Sequence, residues 1–133
     1  MKHFYADGAT LYGADEGDAV VGSFKSFVRH NTQGYVGAIS AQIGSVMVSY
    51  SAINTLPNAI SPAIRTILRE KLNFDGLVIS DYDEIQKAMG QRLPTDLFTI
   101  SKASESLAEM MNASMDMIMI PGWRGEQAVT DVY

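Results

Sequence analysis

Cysteine is missing from this sequence of 133 residues, and histidine occurs only twice. The absence of cysteine excludes disulfide bonds and thiolate metal sites, and it leaves the redox compartment open. Neither His3 nor His30 is spaced with carboxylates as in a metal-binding motif. We therefore expect neither a metal site nor a cofactor.

Basic charge and long apolar runs are also scarce. The chain has 10 basic and 15 acidic residues, which give a net charge of -5. This balance argues against a general nucleic-acid binder, which needs a basic surface for phosphate. No apolar run approaches the roughly 18 residues of a membrane span, so no membrane partner is expected. The first residues carry no apolar segment of a secretory signal, and the compartment stays unknown.

Short apolar runs alternate with longer amphipathic stretches along the chain. Predicted strands cover residues 2–5, 45–50, 77–79 and 115–120, and predicted helices cover 19–30, 34–43, 61–72, 98–113 and 124–133. Strands that alternate with helices predict a parallel sheet with right-handed crossovers. We therefore predict an α/β fold in the order β-α-β-α-β-α-β-α.

Several local signals set the predicted boundaries. Asp18 is predicted to cap the helix over 19–30, and Ser61-Pro62 is predicted to begin a helix with serine as the cap. The stretches 7–17 and 51–57 are interpreted as loops.

Polar residues lie at one end of the predicted strands. Lys2-His3, Tyr50 and Asp81 fall at or near the carboxyl ends, where folds of this class bind their ligands. Asp81 follows the apolar run Leu77 to Ile79 directly. From these residues alone, Asp81 is either a carboxylate at a helix N-terminus or a carboxylate delivered into a pocket.

Four segments resemble glycoside hydrolase family 3, in family order and at family-like spacing. They are Lys2-His3-Phe4 with Asp7-Gly8 (KHF-x-x-D-G in the family), residues 46–54 (VMVSYSAIN), residues 73–82 (NFDGLVISDY, against GFDG-[FL]-V-[VI]-SDW) and residues 115–122 (MDMIMIPG, against LDMEMPG). The similarity covers nearly the whole chain. It is strongest to the β-glucosidase and β-glucan exohydrolase branch, because the N-acetylglucosaminidase branch carries KHFPGHG where this chain has KHFYADG.

The resemblance implies a retaining hydrolase that cleaves O-glycosidic bonds of β-glucosides or β-glucan oligosaccharides. Asp81 matches the family's nucleophile, which attacks the anomeric carbon and forms a glycosyl-enzyme ester. Lys2 and His3 match the pair that hydrogen-bonds hydroxyls of the reacting sugar.

The resemblance also implies further substrate-binding positions. Met47 and Tyr50 match residues near the same sugar pocket. Tyr82 stands where many members have tryptophan, a platform against the next sugar, and tyrosine keeps an aromatic face of smaller area.

The chain is short for a complete family member. A (β/α)8 barrel of the TIM type takes about 250 residues, so residues 1–133 are predicted to form one partial domain of about four strand-helix units, the central part of the barrel. The family's acid/base is a glutamate of a downstream domain, which we expect to be absent here. Retention needs two carboxylates about 5 Å apart, and Asp83 and Glu84 are interpreted as a solvated helix start.

Three functional hypotheses stay open at this point. The first is a fragment of a β-glucosidase-type enzyme that is inactive until the remainder of the barrel or self-association completes it. The second is a non-catalytic remnant or carbohydrate-binding subunit of the same ancestry. The third is an unrelated α/β domain that binds a small ligand at its strand ends.

The last predicted strand carries a methionine pattern. Met115, Met117 and Met119 alternate and so share one strand face, which favours core packing. Asp116 points the other way and is predicted to be a buried, hydrogen-bonded structural residue. Trp123 either lines a pocket mouth or packs against a helix.

Overall fold

The computed structural model describes residues 1–89 and 100–122. The strands are β1 (Asp18–Ala19), β2 (Ser45–Met47), β3 (Ala52–Ile53), β4 (Leu56–Pro57) and β5 (Leu77–Ile79). The helices are α1 (Phe24–Asn31), α2 (Gln33–Ser40), a π-helix (Ile64–Lys71), α3 (Ile85–Ala88) and α4 (Ile100–Asn112), with 3-10 turns at Asp7–Ala9, Leu11–Gly13 and Asn58–Ile60. Trp123 and the helix predicted over 124–133 lie outside the described residues. None of the described helices is long and apolar enough to cross a membrane.

Four chain segments form a parallel array in their sequence order. β2 pairs with β5 in parallel along the whole of both strands. Phe4 forms a parallel bridge to Val48 on one side, and Met117 forms a parallel bridge to Ile79 on the other. The predicted α/β class and the parallel arrangement are confirmed, and four neighbouring parallel segments are consistent with part of a barrel.

A second small sheet corrects two of the predicted boundaries. β1 runs parallel to β3, and β3 pairs with β4 in an antiparallel hairpin. Asp18 is therefore a strand residue and not a helix cap, because its carboxylate accepts the backbone N–H of Thr55 at 3.0 Å. The first helix begins only at Phe24. The predicted loop 51–57 contains the hairpin, whose turn residues Asn54 and Thr55 both have positive φ, as a type I′ turn requires.

The helix predicted over 61–72 is present and has π geometry. It begins at Ile64, and the Ser61 hydroxyl accepts the N–H of Ala63 at 3.2 Å. Leu72 donates its N–H to the carbonyl of Ile67 at 2.9 Å, which is the i to i−5 spacing of a π-helix. Its apolar face is buried, as the sequence pattern predicted.

The two faces of the parallel array differ in burial. Val46, Val48 and Val78 are fully buried, whereas the alternate residues Met47 and Ile79 are only partly buried. Successive strand residues point to opposite faces, so one face is packed and the other is half open. The half-open face is the one that would point into the interior of a barrel.

The methionine prediction is only partly correct. Met115 is buried and belongs to the core, but Met117 is 49% exposed. The segment is not a regular strand, because Asp116 and Met117 both donate their N–H groups to the carbonyl of Val78, at 2.9 and 3.1 Å. This doubled contact breaks the strict alternation on which the prediction depended.

Asp116 is exposed, and the prediction of a buried residue was wrong. Its structural role is nevertheless present, since its Oδ2 accepts the N–H of Val78 at 2.7 Å and pairs with the Arg69 guanidinium. Nearby, a Cβ on Gly76 would lie 2.5 Å from the carbonyl oxygen of Gly44, so this glycine permits a close backbone approach where β2 and β5 begin.

Candidate active site

Asp81 and His3 lie side by side at the carboxyl end of the array. Asp81 follows β5, and its side chain is 24% exposed. His3 Nε2 lies 3.7 Å from Asp81 Oδ2, and His3 Nδ1 lies 2.5 Å from Asp7 Oδ2. The peptide bonds Lys2–His3 and Phe4–Tyr5 are cis. Two residues that are far apart in sequence and were both predicted to serve the site are thus neighbours.

Asp7 is held by two buried serines and was not among the predicted site residues. Its Oδ1 accepts hydrogen bonds from the hydroxyls of Ser49 and Ser51, the second at 3.3 Å. The N–H of Ser51 also donates to Ser49 Oγ at 3.1 Å. The signal was available, because the two serines flank Tyr50 and so share one side of an extended segment. The serines orient Asp7, and Asp7 orients His3.

Hydrogen bonds fix the backbone of Asp81 on both sides. Its N–H donates to Glu84 Oε2 at 2.9 Å, and its Oδ1 accepts the N–H of Tyr82 at 2.7 Å. The Ser80 hydroxyl donates to the carbonyl of Asp81 and accepts the N–H of Met119, both at 2.8 Å. Asp81 therefore has one constrained oxygen, Oδ1, while Oδ2 faces His3.

Glu84 is fully buried, so the interpretation of a solvated helix start was wrong for this residue. Burial, with a smaller contribution from the Asp81 charge, raises the pKa of Glu84 to about 8. Backbone hydrogen bonds from Asp81 and Ala59 and the charge of Lys87 lower it by less. Glutamate three residues after a polar residue at a helix start is the capping-box spacing, which was the available sequence signal. Asp83 is half-buried and accepts a hydrogen bond from Gln86 Nε2.

Tyr50 lies beside a polar pocket. Lys87 Nζ stands 4.9 Å from the centre of its ring. The pKa of the Tyr50 hydroxyl is raised to about 12. Burial is the main cause, and the nearby carboxylates of Glu16, Asp83, Glu84 and Asp81 contribute less. The hydroxyl is therefore a neutral donor at ordinary pH. The pocket encloses about 650 Å³ and is lined by Tyr50 with Glu16, Gly17, Asp18, Ala52, Thr55, Pro57, Ile60, Lys87 and Ala88.

The other predicted substrate-binding residues differ in their exposure. Met47 is half-buried within β2. The Tyr82 side chain is 60% exposed next to Asp81. Lys2 is exposed and forms no hydrogen bond or ion pair with any residue in the described part of the chain. In residues 1–89 and 100–122, no three His, Cys, Asp or Glu side chains are grouped so that they could hold a metal ion.

Comparison with known proteins identifies the family. The model of the glycosyl hydrolase family 3 N terminal domain matches residues 1–131. This chain belongs to that family. A lysosomal beta glucosidase of Dictyostelium discoideum is 25% identical over 122 residues, which are 90% of this chain and 14% of that protein.

Solved structures of a beta-glucanase and a beta-glucosidase have a similar fold. An exo-1,3/1,4-beta-glucanase from a Pseudoalteromonas species superposes with a TM-score of 0.74 at 26% identity, covering 97% of this chain and 15% of that one. A beta-glucosidase from Listeria innocua in complex with isofagomine superposes with a TM-score of 0.72 at 25% identity, covering 89% and 16%. The resemblance to family 3 and the partial barrel are confirmed. This family 3 chain spans less than a fifth of each of these relatives.

Proposed function

We propose that this chain is part of a retaining β-glucosidase-type glycoside hydrolase that hydrolyses O-glycosidic bonds of β-glucosides, with Asp81 as the nucleophile. One observation carries the proposal. The Asp81 side chain is partly exposed after β5, its Oδ2 lies 3.7 Å from Nε2 of His3, and both residues stand in segments that resemble family 3 motifs. The names of the relatives, beta-glucosidase and beta-glucanase, support this class of substrate.

The first chemical step assigns different roles to the two Asp81 oxygens. Oδ2 attacks the anomeric carbon while the bond from that carbon to the leaving oxygen breaks, and the leaving group takes a proton from an acid. Oδ1 keeps the hydrogen bond from the N–H of Tyr82, which orients the carboxylate. Water then hydrolyses the glycosyl ester and restores Asp81.

His3 is suited to bind a sugar hydroxyl. Nδ1 of His3 pairs with Oδ2 of Asp7, so Nε2 is the ring nitrogen that faces Asp81. The 3.7 Å between Nε2 and Asp81 Oδ2 is longer than a hydrogen bond, which leaves Nε2 available to a hydroxyl of the reacting sugar. The same function is proposed for Lys2.

The remaining substrate contacts are assigned by position. Met47 and Tyr50 are proposed to line the same sugar pocket, with the neutral Tyr50 hydroxyl as a hydrogen-bond donor. The exposed ring of Tyr82 is proposed to stack on the next sugar, since an aromatic face packs well on the apolar face of a pyranose.

The acid/base is proposed to come from outside the described residues. Glu84 is buried, and one of its oxygens already accepts the N–H of Asp81. Both oxygens of Asp7 are engaged by His3 and the two serines. Neither carboxyl is available to protonate a leaving group. We propose that the remainder of the barrel or another copy supplies the acid and covers the half-open barrel face.

Covalent trapping tests the proposal. The chain is incubated with a 2-deoxy-2-fluoro-β-glucoside that carries an activated leaving group, which needs no acid, and its intact mass is measured. We expect a gain of one fluorosugar that disappears in Asp81→Asn and persists in the control Asp75→Asn, an exposed aspartate in the turn before β5. A gain that survives in Asp81→Asn would exclude Asp81 as the nucleophile.

A second candidate, a non-catalytic carbohydrate-binding subunit, is favoured by the pocket beside Tyr50. Its lining combines an aromatic ring with charged side chains, a composition that suits sugars. Isothermal titration with glucose distinguishes the two functions. Glucose binding that is lost in Tyr50→Ala, on a chain that never forms the fluorosugar adduct, would favour the binding subunit.

A further inference from the structure

We propose that Glu84 is a positioning residue for Asp81, whose backbone amide it holds from within the core so that the carboxylate keeps a single orientation. The inference rests on the proposed role of Asp81. It adds a second carboxyl to the site, with a function other than proton donation to the leaving group.

The geometry links the two carboxyls through one turn. Glu84 Oε2 accepts the N–H of Asp81 at 2.9 Å, and Asp81 Oδ1 accepts the N–H of Tyr82 at 2.7 Å. The first bond fixes the backbone at Asp81 and the second fixes its side chain. A backbone hydrogen bond from Ala59 also holds the buried Glu84 carboxyl, so the carboxyl is fixed within the core while its Oε2 serves Asp81.

Ordinary helix capping does not account for this arrangement. A capping-box glutamate stabilises a helix start by its hydrogen bond and does not need to be buried, whereas Glu84 has no exposed surface. α3 has only 4 residues, so its dipole offers little compensation. Burial of a carboxyl is unfavourable, and a role in the site gives a reason for it.

The surroundings keep Glu84 protonated when Asp81 is ionised. Burial raises its pKa to about 8, and among the charged groups Asp81 raises it and Lys87 lowers it. The Glu84 carboxyl in turn contributes to the raised pKa of the Tyr50 hydroxyl. The 3-10 turn Asn58–Ile60, which packs on α3, has no ionisable side chain, and the described carboxylates of α4, Glu105 and Glu109, are exposed.

A neutral Glu84 holds Asp81 without adding a second negative charge beside it. Asp81 is then the only ionised carboxyl of this turn that is directed at the sugar. Above pH 8 the second charge would appear beside Asp81, and we expect the repulsion to disturb the orientation of the Asp81 carboxylate.

Two variants and two measurements test this inference on the full 133-residue chain. Glu84→Gln keeps an oxygen that accepts the N–H of Asp81 but cannot ionise, and Glu84→Leu removes the acceptor. The first measurement is a pH titration of the ¹³C-carboxyl resonances of Asp81 and Glu84. The second is the rate of labelling by the 2-fluoroglucoside between pH 5 and 9.

The inference predicts a distinct result for each protein. In the wild type, the Asp81 resonance should show an inflection near pH 8 that coincides with the titration of Glu84 and disappears in Glu84→Gln. Wild-type labelling should slow through that pH, while Glu84→Gln keeps its rate. Glu84→Leu should label about tenfold more slowly at every pH, as expected for the loss of a buried hydrogen bond.

Independent titration of Asp81 and Glu84 would overturn the inference, as would equal labelling rates for Glu84→Leu and the wild type. If Glu84→Leu does not fold, the comparison of wild type with Glu84→Gln still decides. If no protein is labelled, this chain alone does not assemble the sugar site, yet the shared inflection by itself shows whether Glu84 acts on Asp81.

Discussion

Acidic side chains have different surroundings at the two ends of the parallel array. At the amino end, Asp116 pairs with Arg69, and Arg69 also donates to the carbonyls of Phe74, Gly76 and Ser114. At the carboxyl end, Asp7 and Asp81 lie on either side of the His3 imidazole, and the buried Glu84 carboxyl accepts the N–H of Asp81.

This difference separates stability from chemistry. At the amino end, the charges of Arg69 and Asp116 are matched by each other and by backbone dipoles, which lowers the energy of the folded chain. The carboxyl end holds carboxyls close together, which costs stability and produces unequal protonation. Barrel enzymes place catalytic residues at the carboxyl end and stabilising residues at the amino end, and the roles proposed for Asp81 and Arg69 agree with that division.

The largest expected effect comes from the carboxyl end. Asp81→Asn should lower the rate of labelling or of glucoside hydrolysis by about 10⁴-fold, because the amide cannot form the glycosyl ester. Its free energy of unfolding should stay equal to that of the wild type or rise, since a charge next to Glu84 is removed. Urea denaturation together with intact-mass kinetics measures both. A large loss of stability would break the comparison.

Arg69→Met should lower stability and leave the rate of labelling unchanged, the opposite of Asp81→Asn. It leaves Asp116 unpaired and removes the donor to three carbonyl groups, so we expect a loss of about 3 kcal/mol in the free energy of unfolding. The exposure of Asp116 keeps the loss from being larger. The rate of labelling by folded protein should not change. Lys71→Met, at an exposed position of the same helix, is the matched control and should be neutral.

The raised pKa of Glu84 should make the free energy of unfolding depend on pH. Its pKa is about 8 in the folded chain, above the ordinary value of 4.5, so the folded state binds the extra proton. This contribution is complete below the unfolded pKa and is lost as the pH rises to 8, by about 1 kcal/mol per pH unit. Urea denaturation at pH 5, 7 and 9 measures it. Equal pH slopes in the wild type and Glu84→Gln would contradict the assignment.

Gly76→Ala is expected to have the smallest effect, a modest loss of stability at the amino end of the array. The new methyl group would meet the carbonyl oxygen of Gly44 at 2.5 Å and the Phe74 ring at 2.6 Å. We expect a loss of about 1 to 2 kcal/mol in thermal or urea denaturation, since backbone must shift. Gly8→Ala, which has nothing within 4 Å of the new methyl group, should be neutral. Similar losses in both variants would argue against a steric cause.

The strand order and the place of Asp81 were predictable from the sequence. The apolar run before Asp81 marks a covered strand, and the acidic residue after it marks the end of that strand. The family motifs then added the likeness to β-glucosidases. These features depend on local periodicity and on short segments, which a sequence displays directly.

The features that were missed depend on partners distant in sequence. Asp18 joins a strand because its carboxylate meets Thr55, 37 positions later, so a local capping signal was overridden. Glu84 is buried because α3 packs against the turn Asn58–Ile60 and against α4. The charge pattern at residues 81–84 contains no information on that packing.

The Ser80 hydroxyl spans two chain segments, since it donates to the carbonyl of Asp81 and accepts the N–H of Met119. A shift of the Asp81 backbone therefore changes the hydrogen bond at Met119, which lies outside the proposed sugar contacts. The Met119 amide is consequently a built-in spectroscopic reporter. Its ¹⁵N resonance should respond when Asp81 is esterified, and it would follow the state of the nucleophile without any probe in the pocket.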